Sequence, residues 1–452
     1  MKSWIKRSVT LLLTLLLTVC LLLPAAAESM RYTYPETEED KIVSPSAMLM
    51  YVGVKQEQDV ILYEKDVDTR YQPGALMRIA MIGYAMKLIN DNKIDMDTVT
   101  GSYTLPMFNH YVAGTGLHVA LMNFGETWTV RDLLTVCTLQ TAADCAVTLA
   151  TVLAGTPEQF VEGLNGFAQE LGCENSHFTN VVGLNEEGQY MSARDTMTFA
   201  RYALEYSELQ TMLELTQYTV KPVSGGRTRS WPTSNDMLRA STEHFYTYAV
   251  GGKTGGTLTE TSLVEYGAKD GYEYMAVVMG APRKDEKGNI LGTGYADARR
   301  LIRWGLLDFT YEMLARKDEP VGRLPVDDCA ARHSVSLVPV RDLSTIVSAD
   351  VDMTKVTRKI VCDQERLTAP VEKGTVMGTL ELYYEEKCIG TVQVAAGEDA
   401  PYSFPYAAWS RIKAVLFSGW FLLFLVVLIL LCIGYVALNI RYNRKRHRKW
   451  KS

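Results

Sequence analysis

Histidine and cysteine, the residues that most often bind zinc, are scarce in this chain, with 6 and 8 of them among 452 residues. Neither recurs at the spacing of a metal site, so we expect no metal ion and no cofactor. Internal repeats and low-complexity tracts are also lacking, which argues against a collagen-like or wholly disordered chain. The 47% hydrophobic and 22% charged residues that are present indicate two or three globular domains.

A net positive charge is confined to the two ends of the chain, and the middle is acidic. The net charge is −6, yet residues 1–27 carry +3 and residues 441–452 carry +7, so that the stretch between them carries −16. An acidic body of this kind repels a phosphate backbone. We therefore expect no nucleic acid partner.

The first 27 residues have the pattern of a secretory signal peptide. Three cations precede an apolar run from Leu11 to Leu23, and Pro24 leads into three alanines. We predict cleavage near Ala27, which places the mature chain outside the cytoplasm.

A long apolar stretch near the other end predicts a membrane span. Residues 414–440 form 27 consecutive positions without a charged side chain, enough to cross a hydrocarbon layer of about 30 Å. The basic residues 441–452 follow, and by the positive-inside rule they are cytoplasmic. The sequence thus predicts a single-pass protein of the cell membrane with its acidic body outside the cell.

Between these ends the pattern favours an α+β domain followed by a small all-β domain. Strand-like runs at 46–54 and 60–63 indicate an opening β-hairpin, and Lys269-Asp270-Gly271 marks the turn of a second hairpin. Helical character follows Pro73 and recurs at 129–153, 157–171 and 297–314, whereas short alternating runs occur at 334–338, 359–362, 376–384 and 389–394.

These patterns divide the chain into six predicted segments. They are a signal peptide 1–27, an α+β domain 38–316, a β domain 326–398, a juxtamembrane linker 399–413, a transmembrane helix 414–440 and a basic cytoplasmic tail 441–452. Six cysteines lie outside the signal peptide and the span, namely Cys137, Cys145, Cys173, Cys329, Cys362 and Cys388. The sequence leaves open whether Cys362 and Cys388 pair across neighbouring strands or stay free.

Lys253-Thr254-Gly255 becomes informative through the motifs that precede and follow it. In chain order these are Val130-Arg131-Asp132-Leu133-Leu134, Phe178-Thr179-Asn180, Ser192-Ala193-Arg194-Asp195 and Met279-Gly280-Ala281-Pro282. In this arrangement the chain resembles the D-alanyl-D-alanine carboxypeptidases, the low-molecular-weight penicillin-binding proteins, over nearly the whole region outside the membrane. The resemblance implies an antiparallel sheet with packed helices and a serine peptidase that acts on peptidoglycan stem peptides ending in D-Ala-D-Ala.

The departures from the family pattern fall on its reactive residues. The resemblance places the nucleophilic serine at Ala75 and its lysine partner at Arg78, and it replaces Ser-x-Asn by Thr141, Ala142 and Ala143. An alanine methyl group cannot attack a carbonyl, and a guanidinium stays protonated at neutral pH and cannot act as a base. The sequence therefore predicts that no catalytic residue is functional.

A different register does not restore the motif. Ser-x-x-Lys occurs only at 3–6, inside the signal peptide, and at 410–413, at the membrane boundary. Neither stretch lies at the start of a core helix facing Lys253. The sequence therefore predicts that the serine and lysine pair is absent, whichever register is chosen for the motif.

The resemblance also implies which groups remain for binding. These are Lys253, Thr254, Gly255, Thr257, Arg78 and Thr141, together with backbone N–H groups of Ala75 and Thr257 as oxyanion donors. Two structural alternatives stay open. Lys253 pairs with a carboxylate, or Arg78 neutralises Asp144 or Glu260.

Three functions follow as hypotheses. In the first, the protein is a catalytically silent homologue that binds peptidoglycan stem peptides or regulates a protein of cell-wall synthesis. In the second, a rearranged site still hydrolyses a wall substrate, with Thr141 or a water molecule as the attacking group and Lys253 as the base. In the third, the cleft is irrelevant and the β domain, the span or the tail recruits a partner.

Overall fold

The computed structural model describes residues 32–37, 40–284, 287–289 and 291–449. The predicted signal peptide, 1–27, and the last three residues of the predicted tail lie outside the described residues. The described chain divides into two compact units. The first comprises the described residues up to 310 together with 346–351, and the second comprises 311–345 and the described residues from 352 onward.

A five-stranded antiparallel sheet forms the centre of the first unit. The strands of this unit are β1 (Ser46–Val52), β2 (Val60–Lys65), β3 (Thr100–Ser102), β4 (Thr127–Thr129), β5 (Gln217–Val220), β6 (Arg229–Pro232), β7 (Ala249–Gly256), β8 (Glu260–Lys269) and β9 (Tyr272–Pro282). The sheet has the order β2-β1-β9-β8-β7, while β3 pairs with β4 and β5 with β6. Both predicted hairpins, β1–β2 and β8–β9, are confirmed.

Seven main helices surround this sheet. They are α1 (Arg78–Asp91), α2 (Val130–Leu139), α3 (Ala143–Ala154), α4 (Pro157–Glu170), α5 (Ala193–Ala203), α6 (Ser207–Glu214) and α7 (Thr293–Asp308). The single helix predicted for 129–153 is wrong, because Gln140 and Ala142 have extended backbone conformations and separate α2 from α3. The helix predicted for 297–314 ends at Asp308, where a run of aromatic and β-branched residues favours a strand.

Both faces of the sheet are buried. All seven residues of β1 are buried, and its side chains alternate between two hydrophobic clusters, with Met48 and Met50 in one and Ala47 and Leu49 in the other. The first cluster includes residues of α1 to α6, and the second includes residues of α7. The sheet therefore holds helices on each side, as the predicted α+β class requires.

The β-rich second unit contains most of the remaining strands. They are β10 (Phe309–Ala315), β11 (Gly322–Asp327), β12 (Ser334–Pro339), β13 (Leu343–Ser348), β14 (Thr357–Cys362), β15 (Leu367–Thr368), β16 (Val376–Tyr384) and β17 (Lys387–Ala396). Two of these strands, β10 and β13, contain residues of both units. Six of them form a sheet in the order β14-β16-β17-β12-β11-β15. The four short alternating runs predicted after residue 325 are confirmed as β12, β14, β16 and β17.

The possible disulfide between Cys362 and Cys388 does not form. Cys362 lies opposite Gly378 and Cys388 lies opposite Tyr383, so the two cysteines flank β16 on different sides and at different heights. Strands two positions apart are about 10 Å from each other, beyond the roughly 7 Å that a disulfide spans. Both residues are free thiols.

Two helices end the described chain, α8 (Phe404–Leu416) and α9 (Gly419–Lys449). Most of the predicted linker 399–413 is therefore helical, and the predicted span 414–440 starts inside α8 rather than at the start of its own helix. Among the described helices, α9 alone contains a segment long and apolar enough to cross a membrane, Gly419–Arg441.

Candidate functional site

The site forms where the edge strand β7 meets the first helical turn, Ala75–Met77, which leads into α1. The two backbones approach so closely that a Cβ atom on Gly255 would lie 2.0 Å from the nitrogen of Leu76. At Gly74, whose φ is +51°, a Cβ atom would lie 1.7 Å from the carbonyl oxygen of Gly256. Only glycine fits both positions, so these residues bring the two family motifs together.

A cleft of 610 Å³ opens at this junction. Five of the predicted site residues line it, namely Ala75, Thr141, Thr254, Gly255 and Thr257. The other three, Arg78, Ala143 and Lys253, are buried and do not line it. The structure thus brings the predicted residues into one region but leaves two of the predicted cations behind the wall of the cleft.

Arg78 is fully buried and is bonded to a loop. Its Nη1 donates to the carbonyl oxygen of Val181, and its Nη2 donates to that of Val182 at 3.1 Å. Burial lowers the pKa of the guanidinium, and its Nε has no hydrogen-bond partner among the described residues. Because Val182 itself lines the cleft, Arg78 supports one wall of the cleft instead of entering it.

Within the described residues, Arg78 forms no direct ion pair with Asp144 or Glu260, although the charge of Asp144 acts on the guanidinium and raises its pKa against the larger lowering effect of burial. The buried carboxylate of Asp144 accepts hydrogen bonds from backbone N–H groups, those of Ala120 at 2.8 Å, Met122 at 3.0 Å and Cys145 at 3.0 Å. Charge-assisted bonds of this kind stabilise a buried carboxylate without a cation. Asp144 therefore fixes the backbone of residues 120–122, which follow the cleft-lining residues 115–118, and is not a direct partner of the arginine.

Lys253 lies on β7 and is 1% exposed. It pairs with Val264 of β8, on the face of the sheet that α1 and α2 cover. Burial lowers the pKa of its ammonium group to about 8, Cys137 acts in the opposite direction, and Arg78 lowers it further. Its Nζ donates to the carbonyl oxygen of Thr254 at 3.5 Å, and no carboxylate pairs with it in the described part of the chain. The alternative that Lys253 pairs with a carboxylate is therefore wrong.

The cleft offers no serine to this lysine. Ser234 lines the cleft, but its hydroxyl donates to the carbonyl oxygen of Leu139 at 3.1 Å. Among the described residues, no serine hydroxyl forms a hydrogen bond with Lys253. A serine and lysine pair, as acyl transfer requires, is not assembled elsewhere around the cleft.

The expected oxyanion donor beyond the Lys-Thr-Gly segment is occupied. The N–H of Thr257 donates to the carbonyl oxygen of Glu260 at 3.0 Å, so its prediction as a free donor is wrong. The N–H of the preceding residue, Gly256, donates to the carbonyl oxygen of Pro73 at 3.1 Å. Both N–H groups are therefore engaged by the protein's own backbone, that of Gly256 by the segment that leads into the first helical turn and that of Thr257 by the β7–β8 turn.

One cation of the cleft was missed from the sequence. Arg283 lines the cleft beside Thr254 and Thr257, and its side chain is exposed. Its Nε donates to the hydroxyl of Thr261 at 3.2 Å, and it forms no ion pair with another described residue. It lies directly after β9, two strands from β7 in the sheet order, and no sequence motif marks it as a residue of the cleft.

Comparisons with known proteins identify the family of the chain. Residues 34–283 match the family model described as D-alanyl-D-alanine carboxypeptidase, and residues 309–402 match that of the C-terminal domain of penicillin-binding protein 5. D-alanyl-D-alanine carboxypeptidase DacF of Bacillus subtilis is 26% identical over 403 residues, which cover 86% of this chain and 94% of the relative. DacD of Escherichia coli is 28% identical over 322 residues, covering 70% of this chain and 77% of the relative.

Solved structures share the fold. Penicillin binding protein 5 from Haemophilus influenzae superposes with a TM-score of 0.65 at 21% identity, covering 82% of this chain and 99% of the other. A peptidoglycan synthesis regulatory factor, PBP3, from Streptococcus pneumoniae superposes with a TM-score of 0.59 at 18% identity, covering 80% and 100% of the two chains. The family model spans more than half of the sequence, and the chain belongs to the D-alanyl-D-alanine carboxypeptidase family.

Proposed function

We propose that this protein binds peptidoglycan stem peptides that end in a carboxylate and does not hydrolyse them. One observation carries the proposal: the family's cleft is present and open, while Ala75 occupies the position from which a serine would attack. Acyl transfer through a covalent intermediate needs a nucleophile, a base within hydrogen-bond reach and an oxyanion hole. The nucleophile is missing, because Ala75 has no side-chain oxygen.

The base is missing as well. Arg78 takes the place of the lysine, and its guanidinium is bonded to the carbonyl groups of Val181 and Val182. Even with its pKa lowered by burial, a guanidinium is a far weaker base than the amine that it replaces. Arg78 therefore acts as a structural support in a site that has lost its proton acceptor.

A group for binding a carboxylate remains. Arg283 presents an exposed cation to the cleft. Thr254 on β7 also lines the cleft, but its hydroxyl donates to the carbonyl oxygen of Ser234 at 3.3 Å. A guanidinium binds a carboxylate with two parallel hydrogen bonds, which gives both affinity and orientation. Lys253, behind the strand, adds positive potential because most of it is protonated at pH 7.

We further propose that α9 anchors the protein in the cell membrane, with the body outside the cell and the basic residues after Gly419–Arg441 in the cytoplasm. The acidic charge of the body and the basic charge of the tail support this orientation. In this topology the cleft lies outside the cell, on the same side of the membrane as the cell wall.

A synthetic pentapeptide ending in D-Ala-D-Ala tests the proposal. We expect calorimetry to detect binding to the full chain, and an assay for free D-alanine to detect none at equal protein and peptide concentrations. Arg283→Met should weaken binding about tenfold or more, because it removes a bidentate contact. The matched control is Lys284→Met, which removes a neighbouring exposed cation that does not line the cleft.

Residual hydrolysis is a second candidate, and the pKa of about 8 of Lys253 favours it because a base near neutrality is suited to proton transfer. Thr141, which lines the cleft, would supply the attacking hydroxyl. Steady release of D-alanine that Thr141→Val and Lys253→Ala both abolish would establish this candidate and overturn the first. Absence of both binding and release would leave the scaffold role, in which deletion of residues 326–398 alters the cellular phenotype and Arg283→Met does not.

A further inference from the structure

A surface next to the cleft is both apolar and positively charged, in contrast to the acidic body. Four large apolar side chains are at least half exposed there, with Leu121 the most exposed at 70%. We define the apolar-basic patch as Leu105, Leu121, Phe124 and Val223 together with the exposed cations Lys221 and Arg227. Contiguous exposed apolar side chains on a soluble domain usually mark an interaction site.

Hydrogen bonds join the segments that carry this patch into one surface. The N–H of Gly125 donates to the carbonyl oxygen of Tyr103 at 2.7 Å, which places Phe124 beside the turn that holds Leu105. The N–H of Val223 donates to the carbonyl oxygen of Thr127 at 2.8 Å. The loop between β5 and β6 is thereby attached to the segment that carries Phe124 and Leu121.

A buried ion pair holds this surface in place. Arg229 of β6 pairs with Glu126, and the two side chains are 17% and 4% exposed. The guanidinium of Arg229 also lies 5.5 Å above the ring of the buried Trp128. This ion pair therefore joins β6 to the segment that carries Leu121 and Phe124.

The backbone at Leu121 forces its side chain outward. Leu121 has a φ of +60°, a conformation that bulky residues rarely adopt. The flanking N–H groups, those of Ala120 and Met122, both donate to the buried carboxylate of Asp144 and so fix this conformation. Glycine or asparagine would adopt this positive φ more easily than leucine does. The turn therefore does not explain why an exposed leucine occupies this position.

The charge of the patch indicates its partner. The segments 103–127 and 216–232 contain one acidic residue, Glu126, which is paired with Arg229, whereas the body carries a net charge of −16. Within the described chain, Lys221 and Arg227 take part in no ion pair. Two unpaired cations beside exposed leucine and phenylalanine are complementary to a surface that is acidic and apolar.

We propose that the apolar-basic patch is a docking site for a segment of another exported protein that carries acidic and large apolar side chains. A lipid surface is a poorer fit, because proteins that recognise anionic leaflets by charge use clusters of about four to eight cations and the patch has two. The proposal goes beyond the proposed function, since the patch shares no residue with those that line the cleft.

Selection from a library of random 12-residue peptides displayed on phage tests the proposal, with the full chain held in nanodiscs of phosphatidylcholine as the target. We expect the enriched peptides to combine aspartate or glutamate with leucine, phenylalanine or tryptophan. For the best synthetic peptide, Leu121→Asp and Arg227→Glu should each weaken binding about tenfold or more. Aspartate tolerates positive φ better than leucine does, so Leu121→Asp should not harm folding.

Two control variants separate the patch from other surfaces. Val361→Asp places the same charge on an exposed apolar residue of β14, and Arg283→Met removes the cation of the cleft; both should leave the affinity unchanged. The proposal is overturned by a lack of enrichment, by enrichment of neutral or basic peptides, or by equal binding to Leu121→Asp. It is also overturned if phosphatidylglycerol vesicles or a second copy of the chain bind instead, in each case with loss of binding in Leu121→Asp.

Discussion

Restoring the two missing groups should restore part of the family's chemistry. The perturbation is Ala75→Ser combined with Arg78→Lys, compared with Ala75→Ser alone. Residue 75 lines the cleft, so a serine there exposes its hydroxyl to a ligand. Residue 78 lies three positions later at the start of α1, on the same face of the helical turn, so a lysine there provides an amine that can lose its proton.

The structure sets the expected size of the effect. A positioned general base contributes about 10²- to 10⁴-fold, so the double variant should react with penicillin at least about 100-fold faster than Ala75→Ser. The N–H groups of Gly256 and Thr257 already donate to the carbonyl oxygens of Pro73 and Glu260. Since one oxyanion donor is worth about 10²- to 10³-fold, the double variant should remain slower by about that factor than a relative whose donors are free.

Time courses with a fluorescent penicillin measure both differences in one experiment. The full chain is incubated in detergent, samples are denatured at intervals, and covalent fluorescence is quantified after electrophoresis. DacF of Bacillus subtilis serves as the active comparison. Equal rates for Ala75→Ser and the double variant would refute the account, because Arg78 would then not be the element that prevents proton transfer.

Three further predictions concern buried charges. Arg78→Met should lower the free energy of unfolding by about 1–3 kcal/mol, measured by thermal denaturation, because the carbonyl groups of Val181 and Val182 lose their donors. Burial lowers the pKa of Lys253 from 10.5 to about 8, so the unfolded chain binds this proton more tightly and stability rises with pH between those values. In urea denaturation, the free energy of unfolding of the wild type, relative to that of Lys253→Met, should rise by about 2 kcal/mol between pH 7 and pH 9.5. A difference that stays the same at both pH values would contradict the burial of the ammonium group. Asp144→Asn should cost about 2–4 kcal/mol in the same measurement, because three buried N–H groups lose a charged acceptor.

The fold was predictable where the sequence signal is local. The hairpins β1–β2 and β8–β9 follow from alternating runs with polar turns between them, and α4 follows from helical periodicity after Pro157. The break between α2 and α3 was not predictable, because residues 140–142 carry neither glycine nor proline. The start of α9 at Gly419 was missed for a different reason, since α8 and α9 are both apolar where they meet and the apolar run continues across Gly419.

The candidate site was predictable in its residues but not in their contacts. The family resemblance implied that Ala75, Thr254 and Gly255 share one site, and all three line the cleft. The partners of Arg78 are carbonyl groups of a loop more than 100 residues away, and no local pattern reports on such a contact. Arg283 was missed because it stands alone, after a strand, without a motif of its own.

Engaged backbone donors were equally hidden from the sequence. Thr257 belongs to a short loop whose geometry directs its N–H to the carbonyl oxygen of Glu260, a property of the β7–β8 turn rather than of residue type. Gly256 donates to Pro73 because two distant segments meet at glycines with almost no space between them. The site thus combines two missing reactive side chains with two backbone N–H groups that are already hydrogen-bonded.

The wild-type protein should resist acylation, and the intact mass of the full chain after prolonged exposure to millimolar benzylpenicillin measures this directly. We expect an unmodified mass, because residue 75 has no side-chain oxygen and no described serine is bonded to Lys253. A stable increase by the mass of one penicilloyl group, assigned by peptide mapping to a residue that lines the cleft, would overturn the proposed function.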